Sequence, residues 1–194
     1  MLTVSTSDRD GAYHHGDLRA ALVSTALDLL ETGGAAALSL RAAARACGVS
    51  AMAPYRHFAD KEELLEAVAA RGFADLAAVL GAADAGAQGA QALAAQGAAY
   101  VTFACRHPAL FRLMFTRPCR DPVGSEAYRI LERRAAALAG SGTPAEDLTL
   151  AAWSLVHGLA ALILDRRVPL EGEAAEALAR RITLAFAARL TAEG

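Results

Sequence analysis

The chain has 194 residues, 55% hydrophobic and 21% charged, which is enough to bury a sizeable core and too apolar for intrinsic disorder. A formal net charge of −2 gives no global pull toward nucleic acid, so any such role must rest on local charge. Alanine dominates the apolar fraction and β-branched residues are sparse, which argues against a sheet and predicts an all-α fold.

In chain order, residues 1–12 are polar and read as a loose N-terminal arm. Leu18, Ala21, Leu22, Ala26, Leu29 and Leu30 recur at helical spacing, with Asp17 as N-cap and Gly33-Gly34 as stop, so a first helix is expected over 17–32. Ser39 caps a short helix to Ala46, Cys47-Gly48-Val49 makes a tight turn, and Ser50 caps a second short helix to Phe58. Pro54, one turn in, is tolerable only near a helix start. Asp60 and Glu63 form a capping-box variant that opens a fourth helix from Lys61 to about Leu80.

The Gly/Ala/Gln-rich stretch 81–97 reads as a loop followed by a weakly marked helix start. Tyr100, Phe103 and Ala104 continue a helix that ends at His107-Pro108, and a short apolar helix, 109–115, follows. Pro118 and Pro122 bracket a loop, a helix is expected over 125–139, and Thr143-Pro144 caps a long apolar helix to Leu164. Its stretch 148–164 has barely the length of a membrane span, contains Thr149, Ser154, His157 and Gly158, and lacks an aromatic belt; it reads as a helix buried against others, not a span. A last helix is expected over 173–192, making about nine in all. Cys47, Cys105 and Cys119 are odd in number and without metal-ligand spacing. With no signal-peptide pattern at the N-terminus, they suit a cytoplasmic protein.

Two short helices joined by a Gly-containing turn, braced by a third, make a DNA-binding unit when the second displays polar and aromatic groups. Here the second carries Met52, Tyr55, Arg56 and His57. Residues 1–61 sum to zero charge, yet between Ser39 and Lys61 the four cations Arg41, Arg45, Arg56 and Lys61 face only Asp60. Positive density is thus local to the proposed reading head, as phosphate contact requires. On pattern alone a plain helical bundle remains an equal alternative.

Residues 13–68, through Tyr13-His14-His15-Gly16-Asp17-Leu18-Arg19, Ser39-Leu40-Arg41, Cys47-Gly48-Val49-Ser50 and Pro54-Tyr55-Arg56-His57-Phe58-Ala59-Asp60-Lys61-Glu62-Glu63-Leu64, resemble the DNA-binding domain of the TetR (tetracycline repressor) family. The runs His107–Phe115 and Trp153-Ser154-Leu155-Val156-His157-Gly158 resemble the regulatory domain of a subgroup with a Trp…His-Gly (WHG-type) pattern. The resemblance implies a helix-turn-helix domain over 13–60 and a larger effector-binding and dimerisation domain over 61–194. It implies a one-component regulator of transcription, a repressor released from a palindromic double-stranded DNA operator by a small apolar or amphipathic effector; an activator remains the alternative.

By the same resemblance, Arg41 reaches a base edge or phosphate, and Ala51, Met52 and Ala53 occupy base-reading positions suited to thymine methyls. Tyr55, His57 and Lys61 match phosphate-touching positions, and Arg56 contacts base or backbone. Phe58 reads as core, and Tyr55 also has a packing alternative. Tyr100, Phe103, Phe111, Met114, Phe115, Trp153 and His157 fall where the family builds its effector cavity, against the plainer reading that they are core. The last two long helices would pair with their symmetry mates in a homodimer, through Leu155, Leu159, Leu162, Leu178, Ile182 and Phe186, with Leu184 and Ala185 beside them. There is no Gly-rich phosphate loop, metal-spaced Cys/His cluster or nucleophile elbow, so neither enzyme activity nor cofactor nor metal is expected. A scaffold or ligand carrier that has lost DNA reading stays open, because the reading positions are apolar.

Overall fold

The structure, a computed structural model, describes residues 18–116, 125–139 and 143–192. Those residues hold eight α-helices, one 3-10 turn and no strand. The helices are α1 (Leu18–Ala37), α2 (Leu40–Ala46), α3 (Lys61–Ala85), α4 (Gly89–Arg106), α5 (Pro108–Thr116), α6 (Glu126–Leu138), α7 (Ala145–Leu164) and α8 (Gly172–Ala192).

The caps at Ser39 and Asp60 form as the sequence predicts, whereas the segment after Ser50 starts at Met52 and α7 at Pro144, neither with a side-chain cap. Ser39 accepts from the Ala42 amide, Ser125 from the Tyr128 amide, and Asp60 from the Glu63 amide at 2.9 Å. Glu63 reaches back to the Ala59 amide at 2.6 Å, completing the box one residue earlier than the usual pattern. Asp17, the loop around Pro118 and Pro122, and Cys119 lie outside the described residues.

Three boundaries differ from the sequence expectation. The backbone leaves the helix at Gly34 (φ 68°, ψ −176°), where the glycine pair is expected to stop it, but a further helical segment then runs to Ala37. The helix expected from Ser50 to Phe58 is a turn followed by only a 3-10 segment, Ala53–Arg56. Pro54 has no amide to donate to the Ser50 carbonyl, which accepts instead from Ala53 at 3.0 Å in a tighter turn. The stretch from Gly81, expected as loop, is helical to Ala85 and again from Gly89, because alanine propensity outweighs the glycines.

A continuous core runs from Leu22 and Phe58 in the head to Ile163 and Ala179 in the bundle. Phe58, 1% exposed, fills the junction of α1, α2 and α3, and burial of that size contributes about 1.5–3 kcal/mol. With 25 residues, α3 is about 37 Å long and belongs to both parts. α4 lies on α8, where Thr183 fits into the notch left by Gly97; a Cβ there would collide with the threonine oxygen.

α7 is the one helix among the described residues long and apolar enough to cross a membrane, yet only 39% of its most apolar stretch is buried in the protomer. It packs on α4, α6 and α8 and keeps an apolar face outward.

Candidate nucleic-acid interface and apolar cavity

The head is built from the α2 turn outward. Gly48, at φ 70°, takes the left-handed conformation that the turn needs, and Val49 donates back to Ala44 at 3.0 Å. Cys47 is half-buried, its sulfur 3.1 Å from the Thr25 hydroxyl. The turn leaves Arg41, Arg45, Ala51, Met52, Tyr55 and Arg56 exposed on the surface of the head. Met52 is 70% and Tyr55 43% exposed, where a packing role would bury both. Ala53 and His57 are half-buried. No carboxylate among the described residues pairs with Arg41, Arg45 or Arg56, so this face carries unneutralised charge.

Two cations are held differently. Arg19 lies over the Phe58 ring at 5.1 Å. Lys61, expected to touch phosphate from the start of α3, donates its ammonium to the Ala35 carbonyl at 2.9 Å near the end of α1.

The head is fastened to the bundle through α5. Glu31, near the end of α1, accepts from the Leu110 amide at 3.1 Å and from the Ala109 amide at 3.4 Å. A carboxylate there satisfies free amides of the α5 N-terminus and complements its dipole. On the far side, Arg112 donates to Asp165 at 3.0 Å and to the Leu164 carbonyl at 3.1 Å. α5 also crosses α3 at Gly72, where an added Cβ would meet Met114 sulfur at 2.6 Å. A shift of α5 therefore reaches α1, α3 and α7 together.

Within the bundle α3, α4, α5, α6, α7 and α8 surround a small apolar cavity of about 40 Å³, room for a water or two. Of the residues expected to line it, Tyr100, Phe115 and Trp153 do. Phe111, Met114 and His157 do not: they stand behind that wall, with Phe111 4.9 Å and His157 4.7 Å from the Phe115 ring. Phe103 is also displaced from the cavity, facing an open surface groove between α3, α4 and α8 beside Arg106 and Arg180. Helical periodicity marks an inward face without saying which inward residue meets empty space.

Trp153 Nε1 donates to the Tyr100 hydroxyl at 3.3 Å, and that hydroxyl shares a 2.8 Å hydrogen bond with His157 Nδ1, its direction set by the histidine tautomer. Burial pushes the His157 pKa down and the Tyr100 pKa up, each toward the neutral form.

Among the lining residues beyond the sequence expectation are Phe73 on α3, Gln96 on α4, Tyr128 on α6 and Thr183 on α8. Gln96 lies in the stretch read as a loop followed by a weakly marked helix start, where Leu93, Gln96, Gly97 and Tyr100 share helical spacing. Its Nε2 donates to Asp84 Oδ1 at 2.7 Å, and the same oxygen accepts from Arg134 at 2.7 Å, tying α3, α4 and α6. The Arg134 hydrogen bond holds the Asp84 carboxyl below the usual range.

The outward face of α7 carries Leu150, 54% exposed, Ser154, Gly158 and Leu162, 47% exposed, at four-residue spacing. A Cβ on Gly158 would meet nothing within 4 Å. Leu159, expected on the dimer surface, is buried in the protomer's own core, whereas Leu162, one turn on and about 60° round the helix, is exposed. Leu155, Leu178, Ile182, Leu184 and Phe186 are half-buried and Ala185 is exposed.

Two family models match this chain: "Bacterial regulatory proteins, tetR family" over residues 22–68 and "Tetracyclin repressor-like, C-terminal domain" over 93–186. Among solved structures, a protein of unknown function from Rhodococcus sp. RHA1 is similar at 32% identity and TM-score 0.75, over 94% of this chain and 100% of that one. A bacterial regulatory protein in the tetR family from Rhodococcus RHA1 shares the fold at 21% identity and TM-score 0.61, over 90% and 96%. A TetR-family transcriptional regulator from Streptomyces coelicolor does so at 24% and 0.60, over 89% and 99%. A search of curated proteins finds no match.

Proposed function

Because the chain belongs to the TetR family of DNA-binding transcriptional regulators, we propose that it is a homodimeric repressor released from a palindromic operator by a small, largely apolar effector. The observation that carries the DNA-reading half is the exposed face of Arg41, Met52, Tyr55 and Arg56 around a Gly48 turn, apolar at its centre and free of carboxylate partners. Met52 with Ala51 suits thymine methyls, while Arg41, Tyr55, Arg56 and His57 suit phosphates and base edges. Lys61 keeps two ammonium protons for a phosphate beyond the one spent on Ala35.

Dimerisation follows from the unpartnered α7 face. Two copies pairing α7 and α8 as a four-helix bundle would cover Leu150, Leu162 and the neighbouring half-buried side chains. They would place two reading heads about 34–36 Å apart, one DNA turn.

Release follows from the size of the cavity. Ligand pockets usually measure about 300–1,000 Å³, so an effector entering a cavity of about 40 Å³ must push its walls outward. Phe115 carries that displacement into α5, and Glu31 carries it from α5 into the end of α1. Coupling of about 1–3 kcal/mol would change operator affinity roughly 5- to 150-fold. Fluorescence anisotropy on duplexes tiling the DNA upstream of the gene tests the reading. One palindromic tile bound tightly, and lost on Tyr55→Ala, supports it; no binding even to nonspecific DNA at low salt sinks it.

A further inference from the structure

Two buried polar atoms in the cavity wall have no partner among the described residues: Gln96 Oε1 and Thr183 Oγ1. Both residues are almost wholly buried, at 2% and 1% exposure. The orientation of the Gln96 amide is dictated by Asp84. A carboxylate only accepts, so the NH₂ must face it, and the oxygen is left on the cavity side. Thr183 sits against Gly97, the residue next to Gln96, which brings the two unsatisfied groups to the same end of the cavity. Of the other polar groups in the wall, Tyr100 and Trp153 already hold each other.

We propose that this end of the cavity recognises the hydroxyl of an uncharged phenol-type ligand, its O–H donating to Gln96 Oε1 while its oxygen accepts from the Thr183 hydroxyl. A hydroxyl is the smallest group that satisfies both atoms at once. The ring goes to the aromatic wall of Phe73, Phe115, Tyr128 and Trp153. The ligand is neutral because no charged side chain among the described residues lines the cavity, and Asp84 and Arg134, just behind it, are spent on one another. This assignment rests on the reading of the cavity as the effector site. Its rival is a resident water serving the same two atoms.

Calorimetric titration of the full-length protein with para-tert-butylphenol, para-tert-butylanisole and para-tert-butylbenzoate separates these. The emission of Trp153, the chain's single tryptophan, reports whether the cavity is the place of binding. The phenol should bind about 10- to 100-fold tighter than the anisole, whose capped oxygen leaves Gln96 unsatisfied. The benzoate should bind weakest. Gln96→Leu and the isosteric Thr183→Val should shrink the phenol advantage to about threefold or less while the anisole binds as before. Equal binding of phenol and anisole, a preference for the benzoate, a phenol advantage that survives both variants, or no response to any of the three overturns the proposal. Operator anisotropy with the same compounds tells the two readings apart. Selective phenol binding without loss of operator affinity upholds this chemistry and defeats the effector reading. Equal release by phenol and anisole does the reverse.

Discussion

Thr183 gives the residue-scale forecast with the clearest sign. Its hydroxyl is buried without a partner, so Thr183→Val should raise the stability of the unliganded protein by about 1 kcal/mol. That corresponds to roughly 2–4 °C in Tm, read by calorimetry; a drop would mean that the hydroxyl is satisfied in the fold. His157 gives a pH dependence. Burial holds its pKa below the ordinary 6.5, so folding prefers the neutral ring. The stability it lends is complete above that ordinary value and is lost as pH falls through it toward the folded pKa. Between about pH 7.5 and about pH 5.5 wild type should lose more Tm than His157→Asn, whose amide is polar but does not titrate there; equal losses would contradict it. Residue roles are only partly legible in the sequence. Exposed Met52 and Tyr55 stand on the head where the motif puts them, whereas Gln96 and Thr183 read as ordinary polar residues. Their significance arises from a cavity made by six separate elements, which no local pattern encodes.

At the scale of elements, the links from α5 decide whether cavity and head communicate. Glu31→Gln removes the charge that caps α5 while keeping the side chain's size. It should leave operator binding by the unliganded protein nearly unchanged and blunt ligand-driven release, both read by anisotropy. Full release by the variant would show that the coupling runs through α3 instead. Most element boundaries are legible because they rest on caps: Ser39, Asp60 with Glu63 and Ser125 all do what their spacing implies. Where chemistry is mixed, the sequence is ambiguous. Pro54 reduces the expected second head helix to a 3-10 turn, and alanines carry helix through the glycines after Val79.

For the whole molecule, the protomer is incomplete along α7. Leu162→Arg places a charge on a face that the dimer would bury, and it should reduce the mass measured by light scattering to that of one 20.1 kDa chain. A variant still fully dimeric would move the interface elsewhere. The sequence marks α7 as apolar but does not say which of Leu159 and Leu162 faces inward, since both suit a helix packed on two sides. The central claim is a dimer that reads DNA through the Arg41 face, and its most direct test is the salt dependence of operator affinity for wild type and Arg41→Ala. If Arg41 touches a phosphate in each half-site, the slope of log K against log salt should fall by about two in the variant, roughly 0.9 for each phosphate that the dimer no longer neutralises. An unchanged slope with unchanged affinity would contradict the account, because it would take the DNA off the face assigned to it.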